Sequence, residues 1–150
     1  MKQQIFNVRV YGILIEKNAL LVSDEVHHNR KITKLPGGGL EFGESTIECI
    51  CREFREELNI DIEVARHFYT VDFFQPSAFN PEQQIISIYY LVNSDQTDQI
   101  PASEIAFDFA ELKNGAQGFR WIPLHQLSEE TFTFPIDKKV ASLLLQDIKE

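Results

Sequence analysis

The chain has 150 residues, 43% of them hydrophobic, with 14 Lys and Arg against 23 Asp and Glu for a formal charge of −9. That length suits one compact domain with a sizeable core, so residues 1–150 read as a single domain, and no apolar run approaches the ~20 residues that span a bilayer. The acidic balance argues against duplex DNA or RNA as the main partner, because phosphates reward clustered Lys and Arg; a small phosphorylated ligand stays open, since one bound divalent cation inverts the local sign.

The N-terminal stretch is interrupted by Asn7, Arg9, Glu16 and Lys17. It lacks the continuous apolar core of a secretory signal and reads as structure. Residues 4–16 are strand-like, residues 17–19 turn, and residues 20–25 return as the second arm of a hairpin. Residues 26–31 are polar and read as a loop, and residues 31–36 as a short strand stopped by Pro36 and followed by Gly37, Gly38 and Gly39.

Helical periodicity begins at Ser45. With Glu53 at zero on a wheel of 100° per residue, Ile47, Ile50, Cys51, Phe54 and Leu58 fall between about 60° and 160°, one apolar stripe. Asn59 follows, a residue that tolerates the left-handed conformation at helix ends. Cys49 and Cys51 are the only cysteines. Two apart on a helix, they point away from each other and are not expected to bond, so the chain reads as cytoplasmic, with Cys51 in the core and Cys49 open to a reactive role.

Residues 62–74 read as a long strand, residues 75–84 as a loop with two prolines, and residues 85–92 as a central strand covered on both faces. Residues 93–104 are loop and residues 105–112 are ambiguous. Residues 118–124 form a strand, residues 125–130 a short helix, and residues 136–149 a closing amphipathic helix. This order gives an α/β chain, an α+β mixed sheet between helical layers. No His and Cys spacing suggests zinc.

The wheel also places Glu53, Glu56 and Glu57 at about 0°, −60° and +40°, opposite the apolar stripe. Two of these acids lie in the last turn, where the macrodipole favours cations, and neighbouring like charges repel. A solvated acidic face is one reading. The other is a site for a hard divalent cation, which takes oxygen ligands and shares phosphate oxygens with a substrate. Gly37 to Gly39 favour the second, because they let backbone approach a ligand closely. Arg52 beside this face can steady a carboxylate through its bidentate fork.

Gly38, Glu44 and the run from Arg52 to Ile60 then resemble the Nudix box, G-x5-E-x7-R-E-U-x-E-E-x-G-U with U a bulky aliphatic residue, over residues 38–60. Every charged position matches. Asn59 replaces the last glycine and Phe54 an aliphatic residue. The resemblance implies a Nudix-like α/β/α sandwich with the box as a loop–helix–loop, and a pyrophosphohydrolase that cleaves a nucleoside diphosphate linked to a group X. It implies Glu53, Glu56, Glu57 and the Gly37 carbonyl as ligands of one to three Mg²⁺, with Mn²⁺ as a substitute. Arg52 would orient the glutamates, and Glu44 would support the loop–helix junction or bind an outer metal. A homodimer is a further expectation from the family.

X is left open. Pro76, sixteen residues past the box, resembles the proline of members acting on ADP-ribose, which suggests ADP-ribose or another ADP-sugar. The alternatives are a house-cleaning hydrolase of nucleoside triphosphates and a nucleotide-sensing module without catalysis. Substrate contacts are expected from Gly38, Gly39, Arg30 with His27 and His28, and Phe79 among the loop aromatics. Glu104 is the candidate for an additional acid outside the box.

Overall fold

A computed structural model describes residues 3–149. Eight strands run as β1 (Ile5–Glu16), β2 (Ala19–His27), β3 (Arg30–Lys34), β4 (Gly37–Gly39), β5 (Glu63–Thr70), β6 (Gln83–Asn93), β7 (Ala102–Ser103) and β8 (Gln117–Pro123). Among the described residues there are two α-helices, α1 (Thr46–Leu58) and α2 (Pro135–Lys149). The strands lie in the order β5-β6-β1-β2-β8-β7, with β3 on β2 and β4 on β1. The β1–β6 and β7–β8 pairs are parallel and the rest antiparallel, so the sheet is mixed.

Strand alternation sends successive side chains to opposite faces, and each face meets one helix. Tyr11 and Ile13 of β1 and Leu20 and Val22 of β2 pack with Ile136, Val140 and Leu144 of α2. Val10, Leu14 and Leu21 pack instead with Ile50, Phe54 and Leu58 of α1. This is the expected sandwich. Among the described residues, no helix is long and apolar enough to cross a membrane.

Helix α1 starts and stops on its own chemistry. Ser45 accepts the Glu48 N–H at 3.0 Å and the Glu48 carboxylate accepts the Ser45 N–H at 3.1 Å, a capping box worth about 1 kcal/mol. Asn59 closes the helix at φ 55 and ψ 39, donating its N–H to the Arg55 carbonyl. Asn59 thus fills the place of glycine without distorting the end of the box.

Several local expectations are corrected. Residues 26–31 are not a loop: β2 and β3 are joined by a two-residue turn in which His28 and Asn29 adopt φ 50 and 62. Lys17 and Asn18 do the same between β1 and β2, the twist-matched geometry of tight hairpins. Strand β5 ends at Thr70, so residues 71–74 fall outside it. Residues 125–130 form no α-helix but parts of two 3₁₀ turns, Leu124–Gln126 and Glu129–Thr131. Residues 105–112 are irregular, held where the Phe107 N–H and the Arg120 guanidinium both reach the buried carboxylate of Asp24.

The cysteine assignment is reversed. Cys49 is fully buried, whereas Cys51 is half-buried and Ile47 is exposed. The apolar stripe is rotated because Cys49 packs beneath β4, its thiol 3.6 Å from the Gly39 carbonyl. Burial pushes the Cys49 thiol up to about 12, which removes the nucleophilic thiolate and with it the reactive role.

Candidate active site

Strand β4 is built of three glycines and pairs with β1 through Arg9–Gly39, Val10–Gly38 and Tyr11–Gly37. Side chains there would fill space already taken. A Cβ at Gly37, whose φ is +148, would run into the Val10 carbonyl oxygen. A Cβ at Gly38 would lie 2.5 Å from Glu53 Oε1, so the missing side chain is the room that the Glu53 carboxylate occupies.

Around these glycines opens a cleft of about 450 Å³. Glu53 and Glu57 of α1 line it with Gly37 to Gly39. Its lining also includes Arg9 and Tyr11 of β1, Glu25 of β2, Lys34 of β3, Tyr89 of β6 and Asp137 at the start of α2. Pro76 and Phe79, from the segment before β6, are part of the wall.

Arg52 organises the acids. Its Nε and Nη2 clasp both oxygens of Glu44 at 2.9 and 2.8 Å, Nη2 also donates to the Gly39 carbonyl at 3.1 Å, and Nη1 reaches Glu53 at 3.1 Å and Glu56 at 3.0 Å. The Arg52 guanidinium pulls the Glu44 carboxyl down to about 2. One side chain thereby ties the glycine strand, the loop before the helix and two helical glutamates together.

Glu57 is the unsatisfied member. Its Oε2 is buried with no hydrogen-bond partner, and burial pushes its carboxyl up to about 7 despite the nearby Lys34. An orphaned buried oxygen of this kind costs on the order of 1–3 kcal/mol unless a partner arrives. Lys34, nearly buried, places Nζ 3.2 Å from Glu25 Oε2 and 3.4 Å from the Gly37 carbonyl. Burial works against its charge, but Tyr11, Glu25 and Glu57 outweigh it and push its pKa up. Burial likewise opposes the Glu25 charge, yet Lys34 and hydrogen bonds from His27 and Ser23 hold that carboxyl below its ordinary range.

These donors fit a hard divalent cation. Among the described residues, no three Asp, Glu, His or Cys side chains converge to enclose an ion alone. Mg²⁺ does not need such a cage, because it retains waters and shares phosphate oxygens. The partnerless Glu57 oxygen is a donor that such an ion would engage, with Glu53 held beside Gly38.

Of the remaining candidates, Gly38 and Gly39 line the cleft, whereas Glu56 does not: its side chain is 58% exposed and is bound to Arg52. Arg30 lies with its guanidinium 5.6 Å from the Phe79 ring centre and 6.0 Å from that of Phe134. Phe79 itself is stacked by His28 at 4.8 Å. Glu104 is exposed and lines a separate depression with Arg120, Trp121 and Glu130. The tertiary structure brings Arg9, Glu25, Lys34, Tyr89 and Asp137 to the cleft although the sequence pattern gave no such grouping. The signal available for Arg9 was a lone cation inside an otherwise strand-like run, whereas Lys34 shares its short run with Lys31 and carried no such mark.

A family model for the NUDIX domain matches residues 5–144. No curated protein matches the sequence. Among solved structures, the chain is similar to a NUDIX hydrolase from Nitrosomonas europaea, with a TM-score of 0.69 at 16% identity over 94% of this chain and 89% of that one. It is similar to the E. coli ORF135 protein, with a TM-score of 0.66 at 16% identity over 95% and 91%. A MutT NUDIX hydrolase from Burkholderia pseudomallei gives a TM-score of 0.62 at 20% identity over 93% and 97%. At such identities these likenesses speak of the fold.

Proposed function

Because the chain belongs to the NUDIX family, and so is a hydrolase of pyrophosphate bonds, we propose that it is a Mg²⁺-dependent pyrophosphohydrolase of a small nucleoside diphosphate derivative, ADP-ribose or another ADP-sugar. The observation that carries this reading is the buried, partnerless Oε2 of Glu57 beside Glu53 in the glycine cleft. Such an oxygen is tolerated when a ligand completes it.

Glu53, Glu57 and the Gly37 carbonyl would hold the metal, with Glu56 joining them when Arg52 yields it. Bound Mg²⁺ would neutralise the diphosphate and acidify the attacking water. In the reaction, water forms a bond to one phosphorus, the bridging P–O bond breaks, and a phosphate-bearing group leaves. The chain contributes position and charge. Arg52 fixes the carboxylates, Gly38 admits Glu53, and Lys34 places a cation at the cleft wall. Pro76 and Phe79 in that wall support an adenosine-bearing ligand, since Phe79 offers an aromatic surface. Free thiols at Cys49 and Cys51 support a cytoplasmic setting.

The test is hydrolysis of a nucleotide panel with Mg²⁺ or Mn²⁺ and with chelator, products resolved by chromatography. AMP and a sugar phosphate are expected. Nucleoside monophosphate and pyrophosphate from a triphosphate would replace the substrate assignment, and turnover unaffected by chelator would remove the metal.

A further inference from the structure

Arg9 stands on β1, opposite Gly39 of β4 and Ser87 of β6, and lines the cleft. Its Nε donates to the Tyr11 hydroxyl at 2.6 Å. That bond fixes the guanidinium and leaves both Nη groups free. Among the described residues, no carboxylate forms a salt bridge with it at contact distance, although Glu53 and Glu25 attract it from farther off. A half-buried guanidinium with no ion pair is unexpected in a chain of net charge −9, and its fork suits a phosphate held bidentately. Gly39 keeps the approach clear, since even a Cβ there would lie 3.8 Å from Nη1.

A second cation shares the same support. The Tyr11 ring has Arg9 5.7 Å and Lys34 5.2 Å from its centre. Two like charges set against one ring repel, and an anion bound between them relieves that repulsion. Glu25 engages Lys34 at 3.2 Å and attracts Arg9 only from beyond salt-bridge distance.

We propose that Arg9 and Lys34, both set against Tyr11, form a cationic subsite that grips a phosphate of the ligand directly, while the carboxylate set serves the other phosphate through metal. This rests on the reading of the cleft as a diphosphate site and assigns it two residues outside the box. Arg9 acts there in substrate binding and not in bond breaking.

The test is calorimetric titration of the full chain with inorganic pyrophosphate in chelator, so that binding is read without metal or turnover. Arg9→Met and Lys34→Met are each expected to weaken binding roughly tenfold or more, with partial recovery in Arg9→Lys. In hydrolysis, Arg9→Met is expected to raise KM more than it lowers kcat. Unchanged pyrophosphate affinity in a folded Arg9→Met overturns the subsite, even if nucleotide hydrolysis proceeds. Arg9-dependent pyrophosphate binding without ADP-sugar hydrolysis retains the subsite and removes the proposed substrate. If Arg9→Met does not fold, Tyr11→Phe carries the test: a smaller loss of affinity supports the subsite, and no loss overturns it.

Discussion

The Arg52 guanidinium binds both carboxylate oxygens of Glu44 in parallel, at 2.9 and 2.8 Å, while its Nη1 reaches Glu53 and Glu56. This fork needs planarity as well as charge. Arg52→Lys is therefore expected to keep the fold and lower kcat/KM by roughly tenfold or more through misplaced carboxylates. Steady-state kinetics beside a thermal melt check it, and wild-type kinetics in the variant would deny Arg52 its organising role.

Glu57 and Asp137 give the apo protein a pH signature. Burial raises Glu57 from 4.5 to about 7 and Asp137 from 3.8 to about 6. Both folded values lie above the unfolded ones, so the folded chain binds more protons in these windows and stability falls as pH rises through them. In chelator the thermal midpoint is expected to drop from about pH 4 to 7. Glu57→Gln should flatten the upper part of that slope, stabilise the apo protein at pH 7 by on the order of 1–3 kcal/mol, and abolish hydrolysis. Added Mg²⁺ should raise the wild-type midpoint but not that of the variant. A wild-type midpoint independent of pH would contradict the buried-acid account.

The glycines separate into structural and functional positions. Gly37→Ala meets the backbone of β1 at a φ of +148 and is expected to destabilise by about 3 kcal/mol or more. Gly38→Ala meets only the flexible end of Glu53, so it should fold and lose roughly tenfold or more in turnover as that carboxylate shifts. Chemical denaturation and kinetics on the two variants give the comparison, and equal stability would refute the distinction.

Tyr89 donates to the Asp137 carboxylate at 2.6 Å inside the core and stacks on Tyr11 at 5.3 Å. Tyr89→Phe keeps the stack and strands a buried acid. A loss of about 1–3 kcal/mol at pH 7 is expected, diminishing below pH 5 as Asp137 is protonated. Denaturation at the two pH values reads it, and a loss independent of pH would assign the effect to packing alone.

The sequence by itself determined the box helix, its caps and the chemistry of its exposed face, because these depend on residues within a few positions of one another. Ser45, Glu48 and Asn59 act through local hydrogen bonds, and the spacing from Gly38 to Glu57 already holds the family's pattern. It also foretold the sandwich, since strands followed by helices suit a mixed sheet between helical layers. The rotated stripe that buries Cys49 and exposes Ile47 was decided by β4, a strand from outside the helix. The tight His28–Asn29 turn followed from pairing between β2 and β3 that polarity concealed. The tertiary structure alone drew Arg9, Lys34, Tyr89 and Asp137 from four separate elements to one cleft. What each of them faces is fixed by strand order and by where α2 docks. The site is therefore readable as a motif along the chain, and its cationic side exists only after the sheet has assembled.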